Sequence, residues 1–134
     1  MKILLDTHIA LWAIADSKKL SEEATQMLEA EKNKIYYSIA SVWEVAIKHK
    51  IKPEQMPISE EAFLDLCEDT GFELLPVEAE HIFAVKTLKR PADAPKHNDP
   101  FDRILLAQAK SENMNFLTHD SLIPFYKEKC VISI

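Results

Sequence analysis

Short runs of β-forming residues alternate with longer amphipathic runs along almost the whole chain, and this rhythm is what most restricts the fold. The runs "KILL" (2–5), "KIYYSI" (34–39), "FELLPV" (72–77), "NFLTH" (115–119) and "CVISI" (130–134) are strand-like. The stretches between them carry helical periodicity. These are "HIALWAIAD" (8–16), "LSEEATQMLEAEKN" (20–33), "SVWEVAIKHK" (41–50), "SEEAFLDLCEDTG" (59–71), "EAEHIFAVKTLK" (78–89), "DPFDRILLAQAKSEN" (99–113) and "SLIPFYKEK" (121–129), the last interrupted by Pro124. Strands that alternate with helices cannot pair by tight hairpins, so they form a mostly parallel sheet covered by helices on both faces. The expectation is an α/β fold.

The punctuation agrees. Ser21 is placed to open the second helix, Pro53 lies just beyond the third, and Gly71, the single glycine of the chain, is placed to end the fourth. "RPADAPKHN" (90–98) is the one clear loop. No repeat, low-complexity stretch or internal boundary interrupts the pattern, so residues 1–134 read as one domain with enough chain to bury a core. The opening "MKILLDTHIALWAIADS" is apolar, but Asp6 and His8 break it and no small-residue cleavage site follows. It reads as a buried strand and helix rather than a leader. No apolar run is long enough to span a bilayer.

Composition removes several classes of function. A formal charge of −6 is no footprint of a general nucleic-acid binder, so action on nucleic acid requires a local basic rim or bridging cations. A single glycine excludes glycine-rich phosphate loops. Cys67 and Cys130 match no zinc or redox spacing and are expected as free thiols of a cytoplasmic protein.

The acids are where chemistry is expected. In an open parallel sheet, ligands bind beyond the carboxyl ends of the strands. Asp6 follows the first strand, Asp120 follows "FLTH", and Glu44 falls in the first turn of the helix after "KIYYSI". Asp99 and Asp102 open a helix that the preceding loop can deliver to the same edge. Each has a plain structural reading. Asp6, Asp99 and Asp120 are placed to cap helices, Asp102 falls at N3, and Ser41 with Glu44 spells a capping box, with Lys48 one turn further on. What capping does not supply is a reason to set "LLD", "WE" and "LTHD" among large apolar residues. Carboxylates gathered on one edge repel one another unless a cation lies between them. An oxygen-only donor set suits Mg²⁺ or Mn²⁺ rather than zinc, and divalent ions held in this way serve phosphodiester hydrolysis.

"LLDTHIALWA", "SVWEVAIK" and "DPFDRILLAQA" followed by "FLTHD" resemble PIN-domain ribonucleases, and among them the VapC-type toxins of bacterial toxin–antitoxin pairs. The resemblance covers essentially the whole chain. It implies a catalytic quartet of Asp6, Glu44, Asp102 and Asp120, with Asp99 as a neighbouring acid at the metal. It further implies Mg²⁺ or Mn²⁺ dependence, RNA cleavage that leaves a 5′-phosphate, inhibition by a small antitoxin and, together with the apolar faces of "HIALWAIAD" (8–16) and "FLDLC" (63–67), a homodimer. Asn98 stands where many such toxins have Arg, His119 where Arg or Asn is usual, and "HKIKPEQMP" lacks a glycine often found there. These departures touch the rim, where Lys48, Lys96 and Arg103 are the expected contacts for substrate phosphates.

Rival readings fare worse. A phospho-acceptor receiver domain requires an Asp after its third strand and a Lys after its fifth, and a haloacid-dehalogenase-like phosphatase requires D-x-D where this chain has Asp6–Thr7–His8. His119–Asp120 spells "HD", but HD hydrolases are helical and use further His and Asp pairs. A degenerate module that binds RNA or protein without cleaving it is the remaining alternative. His8, His49 and His81 lie on helical patterns and read as structural or surface side chains, and Trp12, Trp43 and Phe101 as core or interface residues.

Overall fold

The computed structural model describes residues 1–134. Strands β1 (Lys2–Leu5), β2 (Lys34–Ser38), β3 (Glu73–Leu75), β4 (Asn115–Thr118) and β5 (Val131–Ser133) form one sheet in the order β3-β2-β1-β4-β5. All four pairings are parallel, with Leu4 opposite Tyr36 on one side and Phe116 on the other. The strand order reverses between β1 and β4, which makes the carboxyl ends of these two strands the topological switch point.

Alternation along the strands divides the core into two layers. Ile3, Leu5, Ile35, Tyr37 and Leu117 face α1 (Thr7–Ile14), α2 (Glu22–Glu29), α3 (Ile39–Ile51) and α4 (Glu60–Asp69), packing on Ile9, Ala24, Val45, Phe63 and Cys67. Leu4, Tyr36 and Phe116 face α6 (Pro100–Ser111) through Leu105, Leu106 and Ala109. Both faces are therefore apolar, which is why the strands read as continuous hydrophobic runs. Full burial of a side chain such as Phe63 or Phe116 contributes about 1.5–3 kcal/mol.

Most boundaries follow the caps. Ser21 accepts from the Ala24 N–H, and Ser59 does the same for Ala62. Gly71, at φ +95°, closes α4 in a Schellman motif: its N–H donates to the Glu68 carbonyl and that of Phe72 to the Cys67 carbonyl, both at 3.0 Å.

Three elements differ from expectation. Helix α3 begins at Ile39, two residues earlier than Ser41, because Ser38 is its N-cap and accepts from Ala40 N–H at 3.0 Å. Glu44 thus lies in the second turn, and the Ser41–Glu44 capping box does not form. The run 78–89 is helical only over α5 (Ala79–Ala84) before tightening into a 3-10 turn, Val85–Thr87. The run 121–129 holds only a 3-10 turn, Ile123–Tyr126, since Pro124 lacks the N–H that a longer helix requires. No helix is long and apolar enough to cross a membrane.

Candidate metal centre and nuclease site

Strand β1 ends into Asp6, whose N–H still donates to Leu117 of β4 at 3.0 Å, so the switch point fixes its backbone. Its side chain accepts from the Thr7 N–H at 2.7 Å and from the Thr118 hydroxyl at 2.6 Å. Thr118 in turn accepts from the Asp120 N–H at 3.0 Å, which ties the two strand ends together. Asp120 accepts from Leu122 N–H at 2.8 Å and so also serves as the turn cap expected of it.

Glu44 reaches the same place from α3. Thr7 donates its hydroxyl proton to Glu44 at 2.7 Å, so the neighbouring Ser41 hydroxyl, 2.8 Å away, donates to Thr7. The "DTH" and "SVWE" stretches are thereby joined through a buried hydroxyl chain, and Ser41 acts there rather than as a cap. Lys48 donates to the other Glu44 oxygen at 2.5 Å from one turn along the helix.

Helix α6 supplies the remaining acids. Asp99 is its N-cap, accepting from Phe101 N–H at 2.9 Å and Asp102 N–H at 3.3 Å, with Pro100 at the first helical position. Asp102 follows at N3 and is almost wholly buried.

Asp6, Glu44, Asp99, Asp102 and Asp120 all line one cleft of about 290 Å³, together with His8, Trp12, Lys48 and His119. Of the three cations expected at the rim, Lys48 is among the lining residues; Lys96 and Arg103 are not. Lys96 is exposed on the 90–98 loop and Arg103 is half-buried one residue beyond Asp102. Arg90 braces that loop, donating to the Pro95 carbonyl and lying 5.1 Å over the Tyr126 ring.

Repulsion shows in the electrostatics. Burial, then the charges of Asp6, Asp99, Glu44 and Asp120, push the Asp102 carboxyl up to about 8. Burial also raises Asp6, against the opposing hydrogen bond from Thr118. Such a cluster holds either a proton or a cation at neutral pH, and its donors are the hard oxygens that a small divalent ion prefers. The residues present fit a divalent metal.

One neighbour escaped sequence reasoning. His97, buried at the end of the loop, lies 3.1 Å from Asp102 through Nε2 and 2.7 Å from the Tyr126 hydroxyl through Nδ1. His97, Asp102 and Asp120 can bring one donor atom each within 4.8 Å of one another. The available signal was its place five residues before Asp102, in a loop that had to pass the sheet edge. The other histidines behave as expected: His81 is buried in a structural network, His49 bonds the Met56 carbonyl, and His8 is exposed at the rim of the cleft.

Residues 3–127 match the family model of the PIN domain, and the chain belongs to that family. No curated protein matches its sequence. Among solved structures it is similar to VapBC2 from Rickettsia felis bound to a DNA fragment from their promoter (TM-score 0.67, 21% identity, covering 100% of this chain and 98% of that one). It is also similar to VapBC-1 from nontypeable Haemophilus influenzae (TM-score 0.66, 19% identity, 99% and 98% covered). A toxin–antitoxin complex from Klebsiella pneumoniae superposes with TM-score 0.62 at 21% identity, covering 98% of this chain and 96% of that one. At these identities the likeness is one of fold, and it extends over nearly the whole of each partner chain.

Proposed function

We propose that the protein is a metal-dependent endoribonuclease that acts in the cytoplasm as the toxin of a toxin–antitoxin pair. The observation that carries the reading is the convergence of Asp6, Glu44, Asp99, Asp102 and Asp120 on one cleft at the switch point of a PIN-domain sheet. Asp6, Glu44, Asp102 and Asp120 are assigned the catalytic quartet, with Asp99 at its margin. Mg²⁺ or Mn²⁺, when bound, supplies the charge that polarises the scissile phosphate and makes water nucleophilic.

The chain's own groups do the positioning. Thr7 and Thr118 fix the Asp6 carboxylate, and the hydroxyl chain from Ser41 through Thr7 fixes Glu44. Lys48 offsets the charge of Glu44 and offers its remaining protons to a substrate phosphate. Lys96 and Arg103, set back from the cleft, are assigned to more distant phosphates. The balanced reaction adds a water oxygen to phosphorus and releases the 3′-oxygen, leaving a 5′-phosphate.

Partners follow from the same reading. The toxin–antitoxin complexes among its structural likenesses support a small antitoxin partner, and the carboxylates of the cleft suit an Arg or Lys of that partner. A second hollow of about 490 Å³, this one apolar and walled by Trp43, Val77, Ile82, Phe101 and Ile104, supports a homodimer, because it leaves Trp43 64% exposed. The α1 and α4 faces, which looked available from the sequence, are largely spent on the core.

Cleavage of single-stranded RNA in Mg²⁺ and in Mn²⁺ tests the proposal. Activity is expected to vanish with chelator and with Asp6→Ala. Full cleavage by Asp6→Ala overturns the assignment of the site, and RNA binding without cleavage in either metal returns the chain to a non-catalytic module.

A further inference from the structure

The acids of the cleft are held to different degrees. Asp6 has a hydrogen bond on each oxygen, and so has Glu44. Asp99 is held by two backbone N–H groups, and Asp120 by one. Asp102 has no backbone donor on its carboxylate. Its one partner is the ring of His97, at 3.1 Å from Oδ2.

That ring is not free to turn. Its side chain is 3% exposed, its Nδ1 lies 2.7 Å from the Tyr126 hydroxyl, and the two rings meet edge to face at 5.4 Å. Tyr126 is itself buried in the α6-side core and lies under the Arg90 guanidinium. The series Tyr126–His97–Asp102 thus runs from the packed core to the carboxylate that faces the cleft.

We propose that His97 is a positioning residue for metal binding, fixing Asp102 so that Oδ2 is occupied and Oδ1 is presented to the cation. The proposal rests on the metal-dependent reading of the cleft. With Asp102 ionised around a cation, Nε2–H donates to Oδ2, and Nδ1 accepts from the Tyr126 hydroxyl, which selects one tautomer. This is the arrangement in which an outer group orients a metal ligand, and loss of such partners typically weakens metal binding about 10–100-fold. The alternative, that His97 Nε2 is itself a ligand, requires it to leave Asp102, and a nitrogen donor favours Co²⁺ over Mg²⁺ far more than oxygen donors do.

The test is calorimetric titration of the whole protein with Mg²⁺ and separately with Co²⁺, comparing parent, His97→Ala, His97→Gln and Tyr126→Phe. His97→Ala is expected to weaken both metals by the same factor, roughly 10–100-fold. His97→Gln, whose amide nitrogen can stand where Nε2 stands, is expected to recover most of that loss. Tyr126→Phe keeps the ring and its packing, and is expected to weaken both metals by a smaller common factor. A loss confined to Co²⁺ overturns the proposal in favour of direct ligation. Unchanged affinities with only a lower melting temperature overturn it in favour of a purely structural histidine. If the parent binds neither metal, the functional reading falls and this inference with it; if the parent binds and His97→Ala binds equally well, this inference alone falls.

Discussion

Helix α6 carries two buried polar residues, Gln108 and Asp102, whose surroundings are built in opposite ways. Gln108 is fully buried, and its polar atoms are all engaged. It accepts from the Ser38 hydroxyl at 2.5 Å and donates to the Pro76 carbonyl at 3.1 Å, beside His81 at 3.4 Å. His81 accepts from the Glu78 N–H at 2.9 Å, so its other nitrogen donates to Glu112 at 2.7 Å. Every group there has a complementary partner. Around Asp102 four further carboxylates line the cleft, and the His97 ring is the one group hydrogen-bonded to its carboxylate. A paired buried network specifies the fold; a buried excess of like charge is tolerated where a cation completes it.

The largest expected effect breaks the Asp102 side of this contrast. Asp102→Asn preserves shape but removes a charge directed at the proposed metal, so RNA cleavage should fall roughly hundredfold or more, since charge stabilisation of this kind is worth several kcal/mol. Its melting temperature should also rise less on addition of Mn²⁺ than the parent's does. Retained cleavage with an undiminished metal response would reduce Asp102 to a helix-start residue.

Gln108→Leu is the matching change on the other side. It removes the acceptor of the Ser38 hydroxyl proton and the side-chain donor to the Pro76 carbonyl, and should cost about 1–3 kcal/mol in a denaturant melt. The metal-induced rise in melting temperature should be unchanged. A reduced metal response would show that the two clusters are coupled along α6.

The smallest effect concerns pH, because the cleft is open to solvent and its charges are partly screened. With the Asp102 carboxyl raised to about 8 from an ordinary value of 3.8, the folded protein binds a proton that the unfolded chain releases. Stability of the metal-free protein should therefore fall as pH rises from about 4 to about 8, and level off above that. Asp102→Asn should flatten this slope and be the more stable protein above pH 8, with the difference shrinking toward pH 4. Parallel melting curves across that range would remove the raised carboxyl from the account.

Local rules in the sequence determined the alternation of elements, the caps at Ser21, Ser59, Asp99 and Gly71, and the gathering of five acids on one sheet edge. Each of these rests on interactions between residues close in the chain, or on the rule that parallel strands share a direction. Three things required the tertiary structure. Ser38 and Ser41 both have the chemistry of a helix opener, and only the approach of Thr7 from the start of α1 decides that Ser41 turns to a neighbouring element while Ser38 caps. Lys48, Lys96 and Arg103 look alike as cations, yet distance from the cleft separates the first from the other two. His97 has no helical or strand periodicity to mark it, and its role arises from Tyr126, 29 residues away, closing on the other side of its ring. Contacts between distant segments leave no repeating pattern in the chain, so packing alone could decide which histidine bonds to Asp102.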